Sequence, residues 1–171
     1  MAMAMAKRDS PSAQRNKDPI WEVLSKTILP MLEITKEDSF NILEIAAGAG
    51  VHTEHLARKL VENNQSFQWF PTDPEDSSLK SIQAYIHDSQ LSTHVRDPLQ
   101  LTLDENGIIE PSTAAELPDM DLLICINMIH ISPWQATIGL MNVADQKLRR
   151  GAVLYCYGPY KEGGTAVESN M

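Results

Sequence analysis

Three stretches of this sequence hold residue types that can act together on one ligand. The first is Glu44-Ile45-Ala46-Ala47-Gly48-Ala49-Gly50. Gly48 and Gly50 allow a sharp backbone turn and the close approach of a ligand. A dinucleotide pyrophosphate needs G-x-G-x-x-G, and Thr53 stands at the third glycine position. The Glu44 carboxylate in the same run repels a pyrophosphate. By Coulomb's law it attracts the ammonium and sulfonium of S-adenosylmethionine. The bland alternative is a plain strand-to-helix turn, in which glycine is common.

The second stretch is Thr72-Asp73-Pro74. An acid at this distance from a glycine turn suits the two hydroxyls of an adenosine ribose. A turn aspartate before proline is the structural alternative. The third is Asn127-Met128-Ile129-His130. Asn127 has both donor and acceptor atoms to orient an amine or hydroxyl. Histidine is the usual proton carrier near neutral pH, which makes His130 the candidate catalytic proton acceptor, with a packing histidine as its alternative. Arg15 and Asn16 open a basic segment that can fold over a pocket and bind a carboxylate, or simply solvate a helix entry. Tyr157 and Tyr160 are candidates for the substrate wall.

The elements that must position these residues follow from periodicity. Residues 1–11 read as a disordered tail, and residues 12–171 as one domain. Asp18-Pro19 opens a helix, with Asp as cap and Pro at the first helical position. Its apolar stripe is Ile20, Val23, Leu24, Thr27, Ile28 and Met31. Short apolar runs at 41–46, 67–71, 121–126 and 152–157 read as strands. A further strand, broken at Pro98, lies within 93–103. Helices fill the gaps: one from Val51 to Asn63-Asn64, one carrying Leu79, Ile82 and Ile86, and one opened by Ser132-Pro133. The last carries Ala136, Leu140, Met141, Ala144 and Leu148. Arg149-Arg150 suit its C-terminal dipole, and Gly151 its left-handed stop. Residues 104–119 read as a loop. Alternation of buried strands with helices predicts an α/β fold, a largely parallel five-stranded sheet covered on both faces. Ligands of such sheets bind beyond the strands' carboxyl ends. All three stretches fall there.

Bulk properties narrow the partners. The chain has 171 residues, 43% of them apolar, enough for one domain with one core. A net charge of −9 argues against nucleic acid. No apolar run is long enough for a membrane span, and no signal peptide is evident. Cys125 and Cys156 lie in apolar runs and read as buried thiols of a reducing compartment, with no metal site. The expected location is cytoplasmic, with the nucleus as a second compartment.

The strings SPSAQRNKDPI, LEIAAGAGVHTEHLA, WFPTDPE, DLLICINMIHISPW and YGPYKEGG resemble the methyltransferase-like 26 family, in order, from about Ser12 to the chain end. The resemblance implies a class I, Rossmann-like methyltransferase fold that binds S-adenosyl-L-methionine, with the methyl acceptor unknown. It assigns Glu44, Ala46, Gly48 and Gly50 to the cofactor loop, Asp73 to the ribose, and Asn127 and Met128 to the lining of the methyl donor. One position departs from the pattern. The family has an aspartate after P-L-x-L, and here Thr102 follows Pro98-Leu99-Gln100-Leu101, with Asp104 nearby. The fold also usually ends in a further antiparallel strand pair, so the expectation is a C-terminally short form. Three functions follow: a methyltransferase, a non-catalytic binding or scaffold protein with the same fold, and an NAD-type oxidoreductase. Thr53 and Glu44 disfavour the third.

Overall fold

Chain alternation becomes layer order in the computed structural model, which describes residues 7–34, 38–110, 117–162 and 165–166. Helix α1 (Pro11–Val23) passes through a π-turn at Leu24–Ile28 into the short α2 (Leu29–Met31). Then follow β1 (Ser39–Ile45), α3 (Val51–Glu62), β2 (Ser66–Asp73) and α4 (Asp76–Asp88). Next come β3 (Leu99–Gln100), β4 (Thr102–Asp104), β5 (Gly107–Glu110), β6 (Met120–Ile126), α5 (Trp134–Lys147) and β7 (Leu148–Tyr157). β8 (Lys161–Glu162) and β9 (Thr165–Ala166) form a separate antiparallel pair.

The main sheet has five strands in the order β3-β2-β1-β6-β7, and every pairing in it is parallel. This is the expected Rossmann-like sheet, with its switch point between β1 and β6. On one face, Phe40, Ile42, Phe67 and Trp69 pack against Ile20 and Leu24 of the first helix, Leu56 of α3 and Ile82 of α4. On the other, Leu43, Leu123 and Cys125 pack against Leu140 and Val143 of α5. Burial of each such side chain stabilises the fold by about 2 kcal/mol. Cys125 and Cys156 sit opposite each other on β6 and β7 as free thiols. Among the described residues no helix is long and apolar enough to cross a membrane.

Several expectations need correction. The first helix starts at Pro11, not at Asp18-Pro19. Ser10-Pro11 carries the same cap-and-proline signal, and the Ser10 side chain accepts from the Ala13 N–H. The expected tail therefore does not extend to residue 11; residues 1–6 lie outside the described residues. Lys7 to Ser10 instead run along α4. The buried stripe of the first helix is Ile20, Leu24, Ile28 and Leu32, while Val23 and Met31 are exposed. The wider π-turn, closed by the Leu29 N–H on the Leu24 carbonyl, brings every fourth residue inward.

The expected loop at 104–119 includes a hairpin, β4–β5, which packs on α5. Residues 111–116 of it lie outside the described residues. Arg149 and Arg150 belong to β7 rather than to the end of α5. The β6–β7 register shifts between Met120 and Leu122, and Gly151, at φ +84°, lies in the extra stretch. Arg149 donates from Nε to the Asp121 carboxylate, which also accepts from the Asn41 N–H at 2.7 Å.

The hairpin is seated where α5 has no side chain. A Cβ placed on Gly139 would overlap the Asp104 carbonyl oxygen. Helix propensity alone makes Gly139→Ala stabilising by about 1 kcal/mol. Steric overlap reverses the sign, and the expected outcome is a loss of about 2 kcal/mol. Urea unfolding measures it; a gain in stability would show that the hairpin does not rest on α5.

Candidate functional site

The two central strands end in the same way. Ala46 follows β1 at φ +58°, and Asn127 follows β6 at φ +60°. For Ala46 the left-handed backbone costs roughly 1–2 kcal/mol, whereas asparagine adopts it more readily. Both turns are held by backbone bonds to the next strand out. The Ala47 N–H donates to the Thr72 carbonyl and the Asn127 N–H to the Tyr157 carbonyl, both at 2.8 Å. Gly48, at φ +61°, has open space where a Cβ would stand. Gly50, at φ +92°, caps α3, and a Cβ there would lie 2.9 Å from Ile82 Cα. Gly50 thus serves contact with α4, not the approach of a ligand as expected.

A cavity of about 360 Å3 opens above this switch point. That is the size of a small-molecule site. Of the residues that the sequence assigns to a ligand, the cavity brings together Ala46, Gly48, Asp73, Asn127 and Met128 in its lining. Asp73 holds the turn directly. Its Oδ2 accepts from the Gly48 N–H at 2.8 Å, and Oδ1 accepts from the Glu75 N–H at 3.0 Å. An adjoining apolar lobe of about 190 Å3 lies over Leu101, Thr102 and Leu103 and shares Ala46, Pro74, Met128 and Ser132 with the first. Thr102 thus lines the lobe, whereas Asp104 accepts from the Asn106 N–H within its own hairpin.

Glu44 does not line the cavity. Its carboxyl is buried beneath the turn, where Oε2 accepts from Thr53 Oγ1 at 2.6 Å and from Trp69 Nε1 at 2.9 Å. The expected direct contact with a ligand cation is therefore corrected. Thr53 stands at the third glycine position because Glu44 needs its hydroxyl. Burial pushes the Glu44 carboxyl up to about 7, against the two hydrogen bonds that lower it.

The N-terminal segment roofs the cavity. Ser10, Ser12 and Ala13 line it, although sequence reasoning had placed the first helix too late to reach it. The Arg8 N–H donates to Ser81 Oγ at 2.8 Å, and Ser81 Oγ donates to the Ala49 carbonyl at 2.7 Å. Arg8 Nη1 reaches Ser77 and Ser78 Oγ at 3.0 and 3.1 Å. Lys7 pairs with Asp88 at 3.0 Å.

His52, in the first turn of α3, also lines the cavity and is 6% exposed. Its Nε2 lies 2.8 Å from Asn16 Oδ1. Asn16 thus meets a site histidine rather than a substrate. Burial, with help from His55 and Lys17, lowers His52 to about 4, so it is neutral. His55 lies 3.1 Å from Asp18 without hydrogen-bond alignment, and burial lowers its pKa as well.

The other expected substrate-side residues are not brought in. Arg15 is exposed and does not line the cavity. His130 is exposed, outside the lining, and its Nδ1 would lie 3.4 Å from a Cβ on Gly158. Tyr157 packs against the first core, and Tyr160 is 44% exposed; neither lines the cavity. The chain direction after β6 carries Ile131 and Ser132 into the lining instead.

Glu44 imposes a pH dependence of known sign. Its folded pKa of about 7 exceeds the ordinary 4.5, so the folded state holds more protons between those values. Stability from this group is full below pH 4.5 and falls as pH rises through 7, by up to about 3 kcal/mol. His52 and His55 act oppositely at acid pH, since their depressed pKa values cost stability as pH falls. The difference between the chain and Glu44→Gln isolates the carboxyl. Denaturant unfolding from pH 5 to 8 is expected to show that difference declining with pH; a flat difference would refute a buried, titrating Glu44.

Solved structures share the fold. The CurJ carbon methyltransferase is 23% identical, with a TM-score of 0.62, covering 92% of this chain and 38% of that one. The DszA carbon methyltransferase is 16% identical, with a TM-score of 0.58, covering 87% and 36%. A SAM-dependent methyltransferase from Thiobacillus denitrificans, in complex with S-adenosyl-L-homocysteine, is 12% identical, with a TM-score of 0.55, covering 89% and 50%. The chain therefore spans between about a third and a half of these proteins' lengths. A family model described as "Protein of unknown function (DUF938)" matches residues 7–171, and the chain belongs to that family.

Proposed function

We propose that the chain binds S-adenosyl-L-methionine in the cavity above the switch point and transfers its methyl group to a small acceptor. One observation carries the choice of ligand. Among the described residues that line the cavity, Asp73 and Glu75 are carboxylates and none is Lys or Arg. Arg8, which lies behind Ser78, is spent on two serine hydroxyls. A pyrophosphate needs positive charge or several free N–H groups. Here the Gly48 and Glu75 N–H groups are already taken by Asp73. A sulfonium and an ammonium fit this charge balance, and an NAD pyrophosphate does not.

The assignment of parts follows from the lining. Each Asp73 oxygen keeps a second lone pair, enough to accept the two ribose hydroxyls. The apolar lobe over Leu101–Leu103 suits a flat base, with the Thr102 hydroxyl available to its edge. The turn at Ala47-Gly48-Ala49 leaves room for the amino-acid end. When bound, the sulfonium supplies an electrophilic methyl group. Asn127 is fixed by its left-handed backbone and its bond to β7, so its amide can orient an acceptor. The resemblance to the methyltransferase-like 26 family and the solved structures of the same fold support this reading.

Isothermal titration with S-adenosylhomocysteine tests it. Binding in the micromolar range is expected, and Asp73→Asn is expected to weaken it about ten-fold, the worth of one or two hydrogen bonds to a charged group. NADH is expected not to compete. A folded sample that gives no heat with S-adenosylhomocysteine, or that binds NADH at the same site, would overturn the proposal.

A further inference from the structure

Three features of the cavity bear on what shares it. His52 is buried, neutral and held in one tautomer. The amide oxygen of Asn16 can only accept, so Nε2 carries the ring proton and Nδ1 is left with a lone pair. No described donor reaches Nδ1. His52 lines the cavity, and a ring nitrogen with a free lone pair there is a place for a ligand's N–H. Ala13, Ile126, Met128 and Ile131 give the lining an apolar surface, beside the hydroxyls of Ser10, Ser12 and Ser132. Among the described residues that line the cavity, the charged side chains are the carboxylates of Asp73 and Glu75, which repel an anion.

We infer that the methyl acceptor is a small, flat, uncharged nitrogen heterocycle, held by an N–H···Nδ1 hydrogen bond to His52. The inference rests on the adenosyl reading of the same cavity. A neutral azole meets each condition. It has one N–H to donate, a second nitrogen whose lone pair is free at neutral pH, and flat apolar faces. An aliphatic amine is protonated at neutral pH and has no free lone pair. His52, with its pKa lowered to about 4, cannot take that proton and keep it. A carboxylate or phosphate acceptor meets Asp73 and Glu75 and leaves Nδ1 without a donor. In the transfer, the free azole nitrogen forms the N–CH3 bond as the S–CH3 bond breaks. The bonding pair stays on sulfur as a thioether, and the positive charge passes to the azole ring. Atoms and charge balance without a base. His52 therefore binds and orients the acceptor and does not carry its proton away.

The probes are benzimidazole, 1-methylbenzimidazole, which lacks the N–H, and benzoate. Each is titrated into the full chain saturated with S-adenosylhomocysteine. Benzimidazole is expected to bind about ten-fold more tightly than its 1-methyl derivative, the worth of one buried hydrogen bond, and benzoate not at all. His52→Ala is expected to abolish that preference; with S-adenosylhomocysteine held at saturation, a change in its own affinity does not enter the comparison. His52→Gln, which restores an acceptor oxygen, is expected to recover part of it. A ring-nitrogen NMR shift of His52 on adding benzimidazole gives a readout free of turnover. Equal binding of the two benzimidazoles, or an unchanged preference in His52→Ala, overturns the acceptor assignment and leaves the adenosyl reading standing. A null titration with S-adenosylhomocysteine overturns both. The comparison of the two benzimidazoles on the unmutated chain decides the matter even where a variant does not fold.

Discussion

Glu44 is an ionisable group placed where water cannot reach it, and the site is built around meeting that cost. Desolvation of a lone carboxylate is far more expensive than any single hydrogen bond repays. The protein meets it with two short bonds, from Thr53 on α3 and Trp69 on β2, and with a pKa near neutrality that lets the group shed its charge. Those bonds tie three elements together below the glycine turn. The backbone completes the joint: Thr72 Oγ1 donates to the Glu44 carbonyl at 2.8 Å, and the Ala47 N–H returns to the Thr72 carbonyl. The left-handed backbone at Ala46 persists because these bonds over-determine it. Asp73 then restrains Gly48 from the next strand. The cavity floor is thus rigid without any ligand.

Much of this was legible from residue types. Apolar runs flanked by turn residues revealed the central strands, and Pro98 revealed the break before β3. The cavity residues Gly48, Asp73, Asn127 and Met128 were legible because strand ends in a parallel sheet must converge. Direction was not. Whether Glu44 points up to a ligand or down to α3 depends on the strand's facing, and its partners lie 9 and 25 residues away in sequence. His52 was missed for a similar reason, since its partner Asn16 arrives from a helix whose start was misplaced. Ser10-Pro11 and Asp18-Pro19 carry the same local signal. What decided between them was the packing of the segment before Pro11 on α4, which no local pattern encodes. The hairpin after Leu101 was read as a loop because β4 and β5 are only three and four residues long. Arg149 was assigned to a helix end because only tertiary structure supplies Asp121.

The roof differs from the floor in how it is held. Lys7-Arg8-Asp9-Ser10 has no apolar side chain to bury, and among the described residues it is held by hydrogen bonds, the Lys7–Asp88 pair and the Lys7 ammonium over the Tyr85 ring. Each is worth about 1 kcal/mol net, and the exposed Lys7–Asp88 pair less. Segments held this way open at far lower cost than a core strand. Ser81 joins roof and floor, since one hydroxyl accepts from Arg8 and donates to Ala49 beside the glycine turn. Lifting the segment frees that hydroxyl but leaves Glu44, Asp73 and their bonds in place. Such a division suits a site that must admit a ligand without losing its shape.

The charge arrangement also limits where rate enhancement can come from. In a transfer from sulfonium to a neutral nitrogen, one positive charge enters the reaction and one leaves it. Asp73 and Glu75 attract that charge before and after the step. Attraction that is equal in ground and transition states strengthens binding without speeding the chemistry. A base contributes nothing either when the acceptor brings its own lone pair and His52 stays neutral. What remains is alignment. The backbone turn at Asn127 and the His52 ring are both held at the cavity wall by bonds that exist before any ligand arrives. Holding acceptor and methyl carbon in line is worth several kcal/mol when those groups need no reorganisation. The left-handed turn at Asn127 and the His52 ring held by Asn16 are therefore the features on which catalysis by this cavity would depend.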